Sequence, residues 1–248
     1  MFAQERRNAI LSLVQKHKSI DVDSLRKILA ISSATLRRDL AYLDRTDNIV
    51  RVHGGVLHPS AVTGEPSFPQ KASLSVKAKQ KIAERVAATI PEGATVYIDS
   101  GTTCLEAGRL LRSRADLTII TNSLPLIAGH EQFRAKLLVL GGERRGVSGA
   151  LVGDLALAST GRLRADVSLI GASGLHPLDG AGTTELLETA IKRDWISRGT
   201  RRCLLADASK WHQNTAVCFA KWSEFNEFYT DSAPPSAFRK GKLKVIIS

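Results

Sequence analysis

Cysteine is scarce in this chain. Only Cys104, Cys203 and Cys218 occur, an odd and widely spaced set that builds neither a disulfide framework nor a zinc site. Buried, reduced thiols are the expectation. Long apolar runs are also missing. No stretch approaches the ~20 apolar residues that cross a bilayer. Arg6, Arg7 and Asn8 break up the segment where a secretory leader would need its apolar core. A cytoplasmic protein with no membrane partner is therefore expected. There is no internal repeat and no low-complexity tract, which excludes a solenoid. No Gly-Lys-Ser/Thr run marks a nucleotide-binding loop, and no aromatic platform with interleaved basic residues marks a single-strand or RNA binder. Nothing in the pattern calls for a metal, a cofactor or a catalytic residue.

What the sequence does have is basic charge and enough apolar residues for a core. Of 248 residues, 43% are hydrophobic, which suits one large globular domain or two unequal ones. The net charge of +11 points to a polyanionic partner, nucleic acid first. The excess is spread over the whole chain, so the position of the charges has to decide the matter.

The first 57 residues carry three short helical patterns and a hairpin pattern, which together predict a winged helix-turn-helix domain over 1–57. Ile10, Leu13 and Val14 stripe a helix over 2–16. Ser19-Ile20-Asp21 reads as a break. Val22, Leu25, Ile28 and Leu29 face inward from a second helix, and Ala30-Ile31-Ser32 is a turn. Ser32 is an N-cap for a third helix running to about Asp44. On that helix Leu36, Leu40 and Leu43 share an inward stripe, while Ser33 and Arg37, with Ala34 and Arg38 beside them, form another face. Small residues permit close approach to the major groove, and guanidinium groups one turn later reach guanine edges or phosphates. The hydroxyls of Ser32, Ser33 and Thr35 at the helix start can hold a phosphate. Residues 48–56 read as two short strands around a tight turn, placing Arg51 and His53 as wing contacts. Duplex operator DNA is the expected partner, bound by a homo-oligomer, dimer or tetramer, whose symmetry matches paired half-sites.

Residues 58–75 hold Pro59, Gly64, Pro66 and Pro69 and read as a linker. From 76 to 248 short apolar runs alternate with helical patterns, which predicts an α/β domain on a parallel sheet covered on both faces. Strands are expected near 94–98, 117–121, 136–140, 167–171, 202–206, 225–229 and 244–247. Polar or glycine-rich clusters follow several of them: Asp99-Ser100-Gly101-Thr102-Thr103, Thr121-Asn122-Ser123, Gly141-Gly142, Gly171-Ala172-Ser173-Gly174 and Asp207-Ala208-Ser209-Lys210. In a parallel sheet the carboxyl ends of the strands converge on one crevice, the usual ligand site. The first cluster opens a helix, where free N–H groups and the helix dipole favour an anion. Glu185, Glu188 and Lys192 fall on one side of a further helix.

The span Arg6-x3-Ile10-x3-Val14 followed by Ser32-x2-Thr35-Leu36-Arg37-Arg38-Asp39-Leu40, with Arg51-Val52-His53-Gly54-Gly55 behind it, closely resembles the signature of the DeoR/GlpR family of transcriptional regulators. The resemblance continues through the second domain. It implies a sensor domain similar to ribose-5-phosphate isomerase and an effector that is a phosphorylated sugar or polyol. It also implies phosphate contacts at Asp99, Ser100, Gly101, Thr102 and Thr103, and charged contacts from Lys192 and Lys210. Thr121, Asn122, Gly141, Gly142 and Asp207 complete the expected effector site. The family reading is a repressor of a carbohydrate or polyol catabolic operon, released from its operator by the effector. Trp211 departs from the family, where Phe is common after the Ser-Lys pair. The rival reading is an isomerase-like enzyme. Its carboxylates would be drawn from Asp99, Asp179, Glu185, Glu188 and Asp207, yet spacing marks none of these as an acid–base pair.

Overall fold

The structure, a computed structural model, describes residues 2–46, 48–52, 54–58, 66–213, 215–238 and 241–248. It divides into two compact units, one ending at Gln70 and one beginning at Lys71.

The first unit contains α1 (Ala3–His17), β1 (Ser19–Asp21), α2 (Val22–Leu29), α3 (Ser33–Arg45), β2 (Val50–Val52) and β3 (Gly55–Leu57). Local chemistry sets each boundary. Asp21 caps α2 by accepting from the Ser24 N–H at 2.7 Å, and Ser32 caps α3 by accepting from the Thr35 N–H at 3.2 Å. Ala30 ends α2 in the left-handed region, φ +50, the geometry of a helix stop. The segment Ser19-Ile20-Asp21, read as a break, is a strand. It pairs antiparallel with β3 and makes the wing a three-stranded sheet in the order β1-β3-β2. Three residues are too few to show an alternating pattern, so only pairing reveals the strand. Ile10, Val14, Leu25, Leu36, Leu40, Leu43, Ile49 and Val56 form the buried core.

One polar group lies in that core. Asp39 on α3 is 1% exposed. Arg6 and Arg7 of α1 both donate to its carboxylate, Arg7 at 3.0 Å. The Arg7 guanidinium also lies 3.7 Å from the Tyr42 ring centroid. Burial works against the charged carboxylate, but the hydrogen bonds from Arg6 and Arg7 outweigh it and hold its pKa below the ordinary value. Asp39 therefore ties α1 to α3 and takes no part in the outward face of α3.

The segment at the boundary of the two units differs from expectation. Within the segment 58–75, read as a linker, residues Phe68–Ser73 form a helix, α4; residues 59–65 lie outside the described residues. Pro69 is compatible with this helix, because a proline in the first turn loses no intrahelical bond. The Gln70 side chain accepts from the Ser67 N–H at 2.9 Å at the start of this helix. Then come α5 (Val76–Ala87), β4 (Thr95–Ile98), α6 (Thr102–Leu111), β5 (Thr118–Thr121), α7 (Leu124–Ile127), β6 (Lys136–Val139), β7 (Glu143–Arg145), β8 (Ala150–Val152) and α8 (Asp154–Thr160). The remainder is β9 (Ala165–Gly171), β10 (Gly174–His176), β11 (Gly180–Thr183), α9 (Leu186–Arg198), β12 (Gly199–Leu205), β13 (Val217–Ala220), β14 (Glu227–Thr230) and β15 (Lys244–Ile247).

Seven strands form one sheet in the order β15-β14-β12-β9-β4-β5-β6, every pairing parallel. The chain runs outward from β4 to β6 and then returns to β9 on the other flank of β4. That reversal is a topological switch point, and its crevice opens beyond the carboxyl ends of β4 and β9. The β7–β8 hairpin and the small sheet β10-β11-β13 have no counterpart in the sequence reading. Their strands are three or four residues long, too short to carry a periodic signal. In the core, Tyr97 stacks on Trp195 with centroids 4.9 Å apart and planes 6° from parallel. Trp211, the departure noted above, packs with Trp222, Phe228 and Phe238 in an aromatic cluster.

All three cysteines are free thiols. Cys104 and Cys203 are buried, and burial raises both, Cys203 to about 12. Cys218 corrects the expectation, because it is exposed. It lies on β13 opposite in alternation to buried Phe219. Among the described residues no helix is long and apolar enough to cross a membrane.

The Asp39 arrangement has an acid signature. Its folded pKa is depressed, so its stabilisation is present above the unfolded value of about 4 and is lost as pH falls through the folded one. In Asp39→Asn the first unit should be less stable at neutral pH and lose less between pH 5 and 2 than wild type. Hydrogen exchange at the Ile10 and Leu40 amides measures this; equal acid loss in both proteins would remove Asp39 as the tie.

Candidate functional site

The outward face of α3 is as its spacing requires. Leu36, Leu40 and Leu43 are buried, whereas Ser33, Ala34, Arg37 and Arg38 are exposed. Neither Arg37 nor Arg38 has a carboxylate partner among the described residues. Ser32 and Thr35 join hydroxyls at 2.9 Å at the helix start, so both are held in place beside the free N–H groups of the first turn. Arg51 is exposed on β2, and its backbone N–H donates to the Asp44 carboxylate at 3.2 Å, which pins the wing to the end of α3. Gly54 turns the hairpin with φ +79. His53 lies outside the described residues.

In the second unit the strand ends are level. Thr121 pairs with Ile98, Ile98 with Leu169, and Leu205 with Gly171. The residues that follow β5, β4, β9 and β12 therefore share one edge of the sheet. At its centre, beyond β4, sits Asp99, 1% exposed. One of its carboxylate oxygens accepts from Lys192 Nζ and, at 2.9 Å, from the Gly171 N–H. Lys192 Nζ also donates to the Gly171 carbonyl at 3.1 Å. Burial opposes the lysine charge, but Asp99 and Glu188 outweigh it and raise its pKa. Arg145, from β7, donates to Glu185 at 3.3 Å and Glu188 at 3.2 Å. A charge chain thus runs Arg145–Glu188–Lys192–Asp99 across the switch point. The sequence reading placed Glu185, Glu188 and Lys192 on one side but missed Arg145, since nothing in a short charged hairpin announces a partner forty residues on.

Other expected residues divide into those already engaged and those left open. The Thr121 hydroxyl donates to the Ile98 carbonyl at 2.6 Å and accepts from the Ser123 N–H at 3.1 Å, so its donor is taken by the backbone. Gly142 has φ +130, and a Cβ there would come within 2.5 Å of the Val152 carbonyl oxygen; its requirement is backbone packing. Gly141 is exposed with open space around it. Asn122 donates to the Leu151 carbonyl at 3.1 Å, yet its buried Oδ1 has no partner. One oxygen of Asp207 accepts from the N–H of Ser209 at 3.1 Å and from its hydroxyl, while the other, also buried, has none. Thr183, the last residue of β11, and Thr184, just past it, were missed by the sequence reading and also hold unpartnered hydroxyls.

The start of α6 is Gly101, with no side-chain cap. Thr102, Thr103 and Cys104 therefore present first-turn N–H groups that nothing else in the helix takes up. Ser100 and Thr103 are buried beside them. Lys210 is half-buried, its pKa lowered by burial, with no ion-pair partner among the described residues. Buried polar atoms without partners are rare and costly unless a ligand or water completes them. Apart from Asp207, the candidate carboxylates are occupied. Asp99 is held by Lys192, Glu188 by Arg145, and Glu185 by Arg145 and the Leu187 N–H. Asp179 pairs with His176 and lines a separate groove of about 1080 Å³ with Arg193 and Trp222.

Comparison with known proteins fits this division. Residues 6–62 match the model of a DeoR-like helix-turn-helix domain, and residues 74–232 match that of a DeoR C-terminal sensor domain. The glycerol-3-phosphate regulon repressor of Escherichia coli is 32% identical over 93% of this chain and 92% of its own length. The regulator FruR of Bacillus subtilis is 30% identical over 94% and 92%. Ribose 5-phosphate isomerase A of Methanocaldococcus jannaschii overlaps 53% of this chain and 52% of its own at 16% identity, with a TM-score of 0.39, too loose to bear on function.

The charge chain predicts a stability effect that any test of Lys192 has to separate from ligand binding. Lys192→Met leaves Asp99 buried without its cation and should cost the second unit roughly 3–5 kcal/mol. Adding Asp99→Asn should restore part of it. Trp195 lies one helical turn beyond Lys192, so tryptophan fluorescence in urea reads the change. Equal stabilities of wild type and Lys192→Met would show that the pair does not hold the switch point.

Proposed function

Because the chain belongs to the DeoR family of helix-turn-helix transcriptional regulators, we propose that it is the repressor of a carbohydrate or polyol catabolic operon, released from its operator by a phosphorylated sugar or polyol. DNA is read by Ser33, Arg37 and Arg38 in the major groove, with Ser32 and Thr35 on a phosphate and Arg51 and His53 on the wing. The effector sits beyond the carboxyl ends of β5, β4, β9 and β12. Its phosphate meets the uncapped start of α6 at Ser100, Gly101, Thr102 and Thr103, and Lys210 supplies charge. Its hydroxyls meet Asn122 and Asp207.

The observation that carries the effector reading is the set of unpartnered buried atoms on that edge, the Asn122 and Asp207 oxygens, beside Lys210, which has no ion-pair partner among the described residues. A polyol offers the donors these oxygens need, and a phosphate offers the charge. The name of the Escherichia coli relative, a repressor of a glycerol-3-phosphate regulon, supports the same ligand class and the sign of regulation. The isomerase reading is left with Asp207 alone, because Asp99, Asp179, Glu185 and Glu188 are engaged and enediol chemistry needs a base and an acid together; the relatives, named as a regulator and a repressor, count against it as well. A homo-oligomer is expected, with two heads on paired half-sites.

To shift regulation, the effector must bind the DNA-incompetent state more tightly than the competent one. Linkage then requires operator DNA to weaken effector binding by the same factor. Arg37→Ala should cost ~1–3 kcal/mol of operator binding if it makes a bidentate base contact. Fluorescence anisotropy checks this, and an Arg37→Ala, Arg38→Ala double variant that still discriminates the operator would refute the helix assignment. Thr102→Val with Thr103→Val should keep operator binding and lose the response. A panel of sugar and polyol phosphates that raises no apparent stability in the wild type and shows no heat of binding would end the sensor reading.

A further inference from the structure

The second unit presents an apolar helix face far from its polar sheet edge in composition. On α8, Ala156 and Thr160 are fully buried and face inward. Successive residues of an α-helix turn by about 100°, so Ala158 lies at the centre of the opposite face, with Leu155 about 60° from it. Leu155 is 74% exposed, the most exposed large apolar side chain of the second unit among the described residues. Leu157 and Ala158 are exposed as well. The Ser159 hydroxyl donates to the Leu155 carbonyl at 2.8 Å, so its proton is used within the helix.

The start of α9 extends this face. The Arg198 guanidinium of α9 reaches the end of α8, 3.9 Å from where a Cβ on Gly161 would stand. Asp194, which accepts from Arg198 at 2.9 Å, and Leu187 lie on the same side of α9, at steps of four and seven residues. Leu187 is therefore on the side of α9 that meets α8. It is exposed, and Leu186 beside it is 68% exposed. Single exposed leucines are ordinary, but a contiguous group on two packed helices marks an interaction site.

Charge identifies the occupant. Asp154 and Arg162 stand four residues before and four residues after Ala158, about 40° to either side of the centre of the face. Gly161 keeps helical dihedrals, φ −57 and ψ −19, which carries the face on to Arg162. Both charges are exposed, and neither has an ion-pair or side-chain hydrogen-bond partner among the described residues. A two-fold axis through Ala158 lays α8 antiparallel on α8 of a second copy. Asp154 of each chain then meets Arg162 of the other, and the small Ala158 side chains let the helices approach. A surface whose own acid and base pair with each other under a two-fold is self-complementary, the requirement of an isologous contact.

We propose that the outward face of α8, with Leu186 and Leu187 of α9, is the surface through which two copies of this chain pair. This deepens the homo-oligomer expected above, and it gives one molecule two helix-turn-helix units for paired half-sites.

Sedimentation velocity of the full-length protein across a concentration series tests this. Wild type should associate. Asp154→Arg and Arg162→Asp each set like charges face to face and should each raise the dissociation constant about tenfold or more. Mixed in equal amounts, these two variants have opposite charges at both ends again and should associate as wild type does. A folding defect in one variant could not be repaired by the other, so rescue on mixing reads the interface. Leu155→Lys should weaken association and gain nothing from mixing with either. Variants that associate as tightly as wild type, or that are weakened and not rescued by mixing, overturn this face and leave the homo-oligomer standing. A wild type that stays monomeric at every concentration overturns both.

Discussion

The pairing of Lys192 with Asp99 is the constraint on which the second unit depends. Asp99 comes from the end of β4, Lys192 from the middle of α9, and Gly171 from the end of β9, and all three meet at one carboxylate oxygen and one ammonium. Each ion alone would be costly to bury, so the two stabilise only as a pair with their remaining bonds met by the Gly171 backbone. The consequence is positional. α9 is locked against the switch point, which brings Glu188 to Arg145 and so places the β7–β8 hairpin. That hairpin in turn takes its register from Asn122 and Leu124, whose backbone and side chain bond Leu151 and Gly149.

This arrangement explains why so few of the polar residues at the sheet edge are open to a ligand. The central ions are matched to each other and act as the floor. The unmatched groups, Asn122, Asp207, Lys210 and the first turn of α6, lie along the same edge beyond the neighbouring strands. The ion pairs specify one packing of helices on sheet, and the unpartnered atoms leave hydrogen-bonding capacity along the edge. The first unit repeats the logic on a smaller scale, because buried Asp39 fixes α1 on α3 and leaves Arg37 and Arg38 facing outward.

The sequence carried the parts of this that are periodic or local. The Leu36-Leu40-Leu43 stripe, the Ser32 cap and the alternation of apolar runs with helices all follow from spacing, and so do the polar clusters after the strands. What spacing could not carry is pairing at a distance. Lys192 was legible as one face of a helix, but its partner lies 93 residues earlier. Thr121 looked like a ligand contact, yet its hydroxyl bonds the neighbouring strand. Pro69 read as part of a linker because its effect depends on whether it falls in the first turn of a helix or later. Cys218 read as buried because cysteine usually is, and only its place on the outer face of β13 decides otherwise.

The strand order has a last consequence, in time and not in space. The first unit is closed by contacts within its own seventy residues, so it can fold as soon as that stretch has left the ribosome. The sheet centre cannot. β4 sits between β5 and β9, and its flank stays open until residue 171 is made, with Lys192 and β12 still to follow. Domains fold as units, N-terminal first, during synthesis at roughly 5–20 residues per second. Each nascent chain therefore carries a complete helix-turn-helix unit for several seconds before the sheet of the second unit can close.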